Sequence, residues 1–168
     1  MTKQTYSAFH TLMQKLASSR LGAWYFSRTQ HHADRLFLKL TNGRATMTGI
    51  LSGLPVVMLT TTGAKSGLSR TTPILCIRHN HDSDTFALVA SNWGQKHYPA
   101  WYFNLKATPR ATCTIGGKGG DYTAREAGGE EYERYWQRAM DTYLGFPSYK
   151  QRVGERHIPI MVMTPAVQ

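Results

Sequence analysis

Two stretches of this chain combine residue types that can do chemistry. The first runs Thr60-Thr61-Thr62-Gly63-Ala64-Lys65-Ser66-Gly67-Leu68-Ser69-Arg70-Thr71-Thr72-Pro73. Gly63 and Gly67 allow backbone N–H groups to turn inward, Lys65 and Arg70 supply positive charge, and Ser66, Ser69 and Thr72 supply donors. Together these are the parts of an anion site. The segment is not a nucleotide P-loop, because its Lys precedes the second Gly and Pro73 follows in a strand context where a P-loop would open a helix. A basic turn held in solvent has the same composition, so the segment alone supports either reading.

The second stretch, from Val89 to Leu105, has an aromatic density too high for an ordinary loop. Trp93, Tyr98, Trp101 and Tyr102 can wall a flat heteroaromatic ring, with Ser91 and Asn92 at a strand end bonding to its edge. The plain alternative is a hydrophobic knot under a loop. The remaining candidates are weaker. His79-Asn80-His81 and His31-His32 with Asp34 lack a third ligand at metal spacing. His97 and His157 are candidates for pH-sensitive contacts. Cys76 and Cys113 stand 37 positions apart, with no CxxC pair, and read as two buried thiols.

The elements that must position these residues follow from length and patterning. A chain of 168 residues, 41% apolar and 18% charged, suits one folded domain. No apolar run reaches the roughly 20 residues that span a bilayer, and no signal-peptide core is present, so a cytoplasmic protein is expected. Tyr6, Phe9, Leu12, Met13, Leu16 and Ala17 have helical rhythm up to Gly22. A second apolar segment, Trp24–Phe26 and Leu36–Leu40, ends at the turn signal Asn42-Gly43. Residues 1–45 therefore read as a helical N-terminal segment.

From Pro55 the rhythm changes to short β-branched runs. Six strands are expected, at Val56–Thr61, Thr71–His79, Thr85–Ala90, Ala111–Ile115, Asp121–Ala127 and Ile158–Thr164. Hairpin turns at Asn80–Asp84 and Gly116–Gly120 make neighbouring strands antiparallel. Helices are expected from Pro99 over Trp101–Lys106, and over Glu130–Leu144. The fold class is α+β, mainly antiparallel β, and closure of residues 46–168 into a small barrel buries the faces and edges. The edges admit either the chain's own helices or a second subunit as cover.

Charge then says what kind of partner to look for. The net charge is +10, and it is unevenly placed: residues 35–120 carry ten basic and two acidic side chains, whereas residues 121–168 carry six and seven. Such a field draws anions, whether a phosphate-bearing cofactor, a lipid surface or a nucleic acid. It leaves this middle stretch no paired-carboxylate site without Asp82 or Asp84. A nucleic-acid module would need its aromatics exposed as stacking platforms, and Trp101 lies on a helix expected to pack beneath a loop.

The spaced pattern TTTGxKSGxxRxxP, then VAS with a Gly three residues after the Ser, P-x-W-Y-x-N-L, P-S-Y and R-x-I-P-I resembles the deazaflavin (F420)-dependent nitroreductases and F420H2-dependent quinone reductases. The likeness covers roughly residues 45–168. It implies a split β-barrel, FMN-binding-like, that binds coenzyme F420 and passes a hydride to a quinone, a nitroaromatic or another activated acceptor. By the same resemblance, Lys65, Ser66 and Arg70 hold the phosphate and oligoglutamate tail. Thr72, Pro73 and Leu75 lie along the deazaflavin and its ribityl chain, and Val89, Ala90, Ser91, Asn92, Pro99, Ala100 and Trp101 frame the ring. Tyr149 corresponds to a Tyr that closes over the acceptor and assists protonation, and Ser91 can polarise an acceptor oxygen. The chain departs from the pattern where Ala64 replaces a basic residue, Asn92 replaces a Lys, and Leu75 and Arg152 stand in aromatic positions.

Deazaflavin carries its own hydride, so the protein has only to position a ring and an acceptor and supply at most one proton donor. FMN in the same barrel is the alternative cofactor, needing a single phosphate pocket in place of a long anionic tail. The N-terminal helix, with Lys3, Lys15 and Arg20 beside its apolar stripe, either packs on the core or lies on an anionic membrane surface at the inner face of the cell membrane.

Overall fold

The computed structural model describes residues 7–26, 29, 34, 37, 41, 47–78 and 84–166. Six strands form a closed barrel: β1 (Val56–Thr62), β2 (Ser69–Ile77), β3 (Phe86–Val89), β4 (Arg110–Ile115), β5 (Lys118–Glu126) and β6 (Ile160–Pro165). Their order round the barrel is β1-β2-β3-β6-β5-β4, and β1 pairs with β4 to close it. Every pairing is antiparallel, as the turn signals imply.

The side-chain period of two explains which residues face inward. On β1, Val57, Leu59 and Thr61 are buried and alternate with half-buried neighbours. Ala111 and Cys113 on β4 and Ala124 on β5 repeat the pattern with small residues. Phe86 and Leu88 on β3 and Met161 and Met163 on β6 fill the space these leave. β3 and β6 are buried on both faces, which is why Phe-Ala-Leu-Val and Ile-Met-Val-Met are continuous apolar runs. Their outer residues Ala87, Val89, Ile160 and Val162 pack against Tyr135, Trp136 and Ala139 of α5 (Gly129–Thr142) and Phe146, Tyr149 and Val153 of α6 (Phe146–Val153). The helix α4 (Ala100–Ala107) packs on β1 and sends Trp101 and Leu105, one turn apart, into the barrel core.

Several boundaries differ from expectation for local reasons. The β4–β5 turn is only Gly116-Gly117, both at positive φ (57° and 83°), and the strand resumes at Lys118. That is the two-residue hairpin geometry that favours glycine twice. Gly22 does not end the first helix. The helix α1 (Ala8–Ser18) stops at Ser19, whose hydroxyl donates to the Leu16 carbonyl (2.8 Å) and accepts from the Gly22 N–H (3.0 Å). A second helical stretch, α2, starts at once over residues 20–26. Two short elements were not anticipated, α3 (Met47–Ser52) and the 3₁₀ turn Asn92–Gly94, and α6 was read only as a Pro-Ser-Tyr motif. The turn at 80–83, His31, His32, His79, His81, Tyr6 and Asn42-Gly43 lie outside the described residues.

The N-terminal stripe is divided between two surroundings. Met13, Gln14 and Ala17 face inward, while Phe9, Leu12 and Leu16 are 54%, 56% and 52% exposed. Among the described residues no helix is long and apolar enough to cross a membrane, and no cluster of three potential metal ligands exists.

Cys76 and Cys113 are free and face the barrel interior, where burial pushes their thiols up to about 11 and about 12. Both should therefore resist a thiol-labelling reagent at pH 8 in the native protein and react fully in denaturing urea. Native-state labelling at the unfolded rate would show that β2 and β4 do not pack as described.

Candidate functional site

β2 is paired on one side only from Ser69 to Leu75, because β3 joins it just at Cys76 and Ile77. Pro73, which lacks an N–H, is tolerated there, where the second edge has no ladder to break. Along this open edge lies a cleft of 1520 Å³, roofed by Met13 and Ala17 of α1 and Tyr25 and Phe26 of α2. A single drug-sized ligand fills roughly 300–1,000 Å³, so the cleft has room for a large cofactor and a second ring system.

Of the residues singled out from sequence, Lys65, Ser66, Arg70, Thr72, Pro73, Leu75, Val89, Ser91, Asn92, Pro99, Ala100, Trp101 and Tyr149 all line this cleft. Ala90 does not. It is fully buried in the barrel core behind the wall, its N–H bonded to the Pro159 carbonyl (2.8 Å). Tyr102 also turns away from the cleft: its hydroxyl donates to Glu126 (3.2 Å), and burial with that carboxylate pushes the phenol up to about 12.

The basic loop is built differently from the expectation of free N–H groups. Gly63 N–H donates to the Leu68 carbonyl (2.9 Å), Gly67 N–H to the Gly63 carbonyl (2.8 Å) and Ala64 N–H to Asn104 Oδ1 (2.9 Å). These three donors are spent within the protein, and the exposed Lys65 and Arg70 side chains are among the polar groups the loop still presents. A Cβ at Gly63 would sit 2.6 Å from Ser66 Oγ, which would have to rotate away, and 3.2 Å from the Leu68 carbonyl oxygen, so the loop is tight at this position. Asn104, buried on α4, also donates through Nδ2 to Thr61 Oγ1 (3.0 Å) and thereby locks the loop to the barrel. Sequence reasoning assigned Asn104 no role. The available signal is its place as the Asn of the P-x-W-Y-x-N-L motif, an amide between Phe103 and Leu105.

The opposite wall is the turn after β3. Asn92, Trp93 and Gly94 are successively left-handed, at φ 50°, 58° and 74°. A bulky side chain in that region costs about 1–2 kcal/mol, so the surroundings must hold Trp93 there. Asn92 Nδ2 donates to the His97 carbonyl (3.0 Å). Trp93 stacks at 6.4 Å on Phe26 of α2 and meets Tyr149 edge-on at 6.1 Å. A Cβ at Gly94 would come within 3.1 Å of Tyr149 Cα, so the turn lies directly against α6.

Tyr149 is 3% exposed and shares a 2.8 Å hydrogen bond with the Tyr143 hydroxyl. Burial raises its phenol well above the ordinary value of 10, so its proton stays in place through the neutral range. Arg152, standing in an aromatic position of the resembled pattern, lies over the Tyr149 ring (4.9 Å) and donates to the Ser18 carbonyl (2.7 Å) and the Ser19 carbonyl (3.2 Å). It thereby ties the end of α1 to α6. Among the described residues the Ser91 hydroxyl has no protein partner, although Ser91 is largely buried. Ser91 is one of the lining residues of the cleft, so its hydroxyl is a candidate donor there. Trp101 is 7% exposed, which removes it as an open stacking platform for nucleic acid.

Residues 28–165 match the family model described as F420H(2)-dependent quinone reductase. An F420H(2)-dependent quinone reductase of Mycobacterium tuberculosis is 35% identical over 113 residues, covering 66% of this chain and 73% of that protein. A solved F420-H2 dependent reductase (FDR-A) is 40% identical with a TM-score of 0.58, covering 65% of this chain and 93% of that one. Another solved structure, described as a domain-swapped dimer, is 36% identical with a TM-score of 0.61 and covers 77% of this chain and 95% of that one.

Replacing Asn104 by Ala strands the Ala64 N–H and the Thr61 hydroxyl. Urea unfolding should show a loss of about 1–3 kcal/mol, the usual cost of leaving buried polar groups unpaired. A loss below a few tenths would mean that water replaces the amide and that the loop does not depend on it.

Proposed function

The chain belongs to the F420H(2)-dependent quinone reductase family, and from that premise we propose that its cleft binds coenzyme F420 and serves hydride transfer to a quinone. The observation that carries this reading is the division of the cleft. At one end Lys65, Arg70, Ser66 and Ser69 converge, and no Asp or Glu lines any part of the cavity among the described residues. Around the Leu75 end of β2 the walls are Leu75, Val89, Trp93 and Phe146, which pack in one cluster. A planar ring with a long anionic tail fits both ends at once.

Reduced F420, when bound, supplies the hydride. The chain's residues do the rest. Lys65 and Arg70 neutralise the tail from exposed positions, so their contribution weakens with salt. Pro99, Ala100 and Trp101 pack the ring, and Thr72, Pro73 and Leu75 lie along the ribityl side. The apolar walls keep water from the ring. Ser91 offers its hydroxyl to an acceptor oxygen, and Tyr149, protonated and coupled to Tyr143, is the proton source nearest that wall. Nitroaromatics are a second class of planar acceptor that this space admits.

The finer reading is peripheral contact with an anionic membrane surface. It is supported by the exposed faces of α1 and α2, where Phe9, Leu12, Leu16, Leu21 and Trp24 stand beside Lys15 and Arg20. Such a face suits shallow burial in a headgroup region, next to the helices that roof the cleft. That placement would bring a lipid-dissolved quinone to the cleft.

The primary experiment is a tryptophan-fluorescence titration with F420 and, in parallel, FMN. Tight F420 binding with weak FMN binding is expected, and preference for FMN would overturn the cofactor assignment. Lys65→Ala should weaken F420 by about tenfold at low salt and by less at high salt. Trp101→Ala should weaken it at all salt concentrations. Unchanged affinity in both variants would remove this site.

For the membrane contact, a Leu12→Glu/Leu16→Glu variant should lose co-sedimentation with phosphatidylglycerol vesicles while keeping F420 affinity. Retained sedimentation would mean that surface charge alone, or nothing on this face, does the binding.

A further inference from the structure

We propose that Arg156 is a positioning residue of the cleft, holding the turn from Ser91 to Gln95 in the left-handed form that presents Ser91 and Trp93 to the cofactor ring. The inference rests on the reading that the ring lies against this wall.

Arg156 lies in the loop between α6 and β6, distant in sequence from the turn it touches. Its Nη2 donates to the Ser91 carbonyl (2.9 Å) and the Gln95 carbonyl (3.1 Å), so one nitrogen bridges both ends of the turn. Its Nη1 reaches the Ala90 carbonyl (3.5 Å) and the His157 carbonyl (3.3 Å). The guanidinium also lies 4.8 Å over the ring of Tyr98, another cleft residue. Three of its four acceptors therefore belong to the segment that carries Ser91.

The arrangement is a costly way merely to close a turn. Arg156 makes no ion pair among the described residues, and its Nε is buried with no hydrogen-bond partner. The side chain is half-buried, and this partial desolvation lowers its pKa. What the guanidinium offers in return is shape. Through two nitrogens it reaches four carbonyls while its plane covers Tyr98, and a lysine ammonium, with three N–H donors on one nitrogen, cannot reach all of them at once. The turn within its grip has just two backbone bonds of its own, Gly94 N–H to the Ser91 carbonyl and Gln95 N–H to the Asn92 carbonyl, both 3.0 Å. With Asn92 and Trp93 left-handed, those bonds alone compete poorly with relaxation to ordinary φ.

The test uses the full chain with Arg156→Gln and Arg156→Lys. Hydrogen exchange of the ligand-free protein should show the peptide covering residues 91–98 exchanging about tenfold faster or more in Arg156→Gln, and less so in Arg156→Lys, with the β1 and β4 peptides unchanged. F420 affinity should fall by about tenfold in Arg156→Gln, with partial recovery in Arg156→Lys and with the salt dependence owed to Lys65 and Arg70 intact. Three outcomes overturn the proposal. These are wild-type exchange at 91–98 in both variants, acceleration spread equally over the barrel or loss of the fold, which make Arg156 a general stabilising residue, and local acceleration with unchanged F420 affinity. If the wild-type protein binds no F420, the ring reading fails by itself, and the exchange measurement still decides whether Arg156 holds the turn.

Discussion

The whole site depends on an asymmetry of one strand. β2 pairs with β1 from Ser69 to Leu75 and with β3 just at Cys76 and Ile77, so its second edge carries no ladder from Ser69 to Leu75. A barrel normally removes its edges by pairing them all. Here the unpaired length is kept and put to use, with a proline in it, and the space beside it becomes the cleft. The basic loop hangs from the same strand and the aromatic wall from the end of β3. The two chemistries therefore face one another across a gap left by missing strand pairing.

Holding that gap open requires polar anchors on both sides, and each comes from a distant part of the chain. Asn104 fixes the basic loop from α4, and Arg156 grips the turn after β3 from the loop before β6. Arg152 ties α1, part of the roof, to α6. Each anchor bonds mainly to backbone carbonyls or to a backbone N–H. Arg152 and Arg156 act from outside the lining, and Asn104 lines the cleft with its amide spent on Ala64 and Thr61, so the remaining polar lining is left to residues such as Ser91, Lys65 and Arg70. The barrel core, by contrast, is apolar packing of small against large side chains, Ala111 and Cys113 against Phe86 and Met161, and it carries no such polar commitment.

Much of this was legible in the chain itself. Alternation in β1, the glycine pair between β4 and β5 and the change of rhythm at Pro55 encode strands and turns through local sterics and the period of two. The motif residues Gly63 and Pro73 sit at a tight loop and on the open edge of β2, so the motif can be tied to local backbone structure. Less visible were the elements whose formation depends on what they pack against. α6 is only eight residues long, too short for helical periodicity to stand out in the sequence, and its Phe146, Tyr149 and Val153 pack with the outer residues of β3 and β6. The division of α1 into an inner face at Gln14 and an outer face at Leu12 and Leu16 was equally hidden, since helical periodicity defines a stripe and not what the stripe meets.

The sequence by itself determined the antiparallel strands, the positive field and the residue types of an anion-and-ring site, because these are properties of neighbours along the chain or of simple counting. Only the tertiary structure decided which donors were still free. It spent the Gly63, Ala64 and Gly67 N–H groups inside the loop, turned Tyr102 toward Glu126, withdrew Ala90 behind the wall and left Ser91 among the lining residues of the cleft. The Ala64–Asn104 and Tyr102–Glu126 bonds join residues 40 and 24 positions apart, and no local pattern encodes a partner that far away.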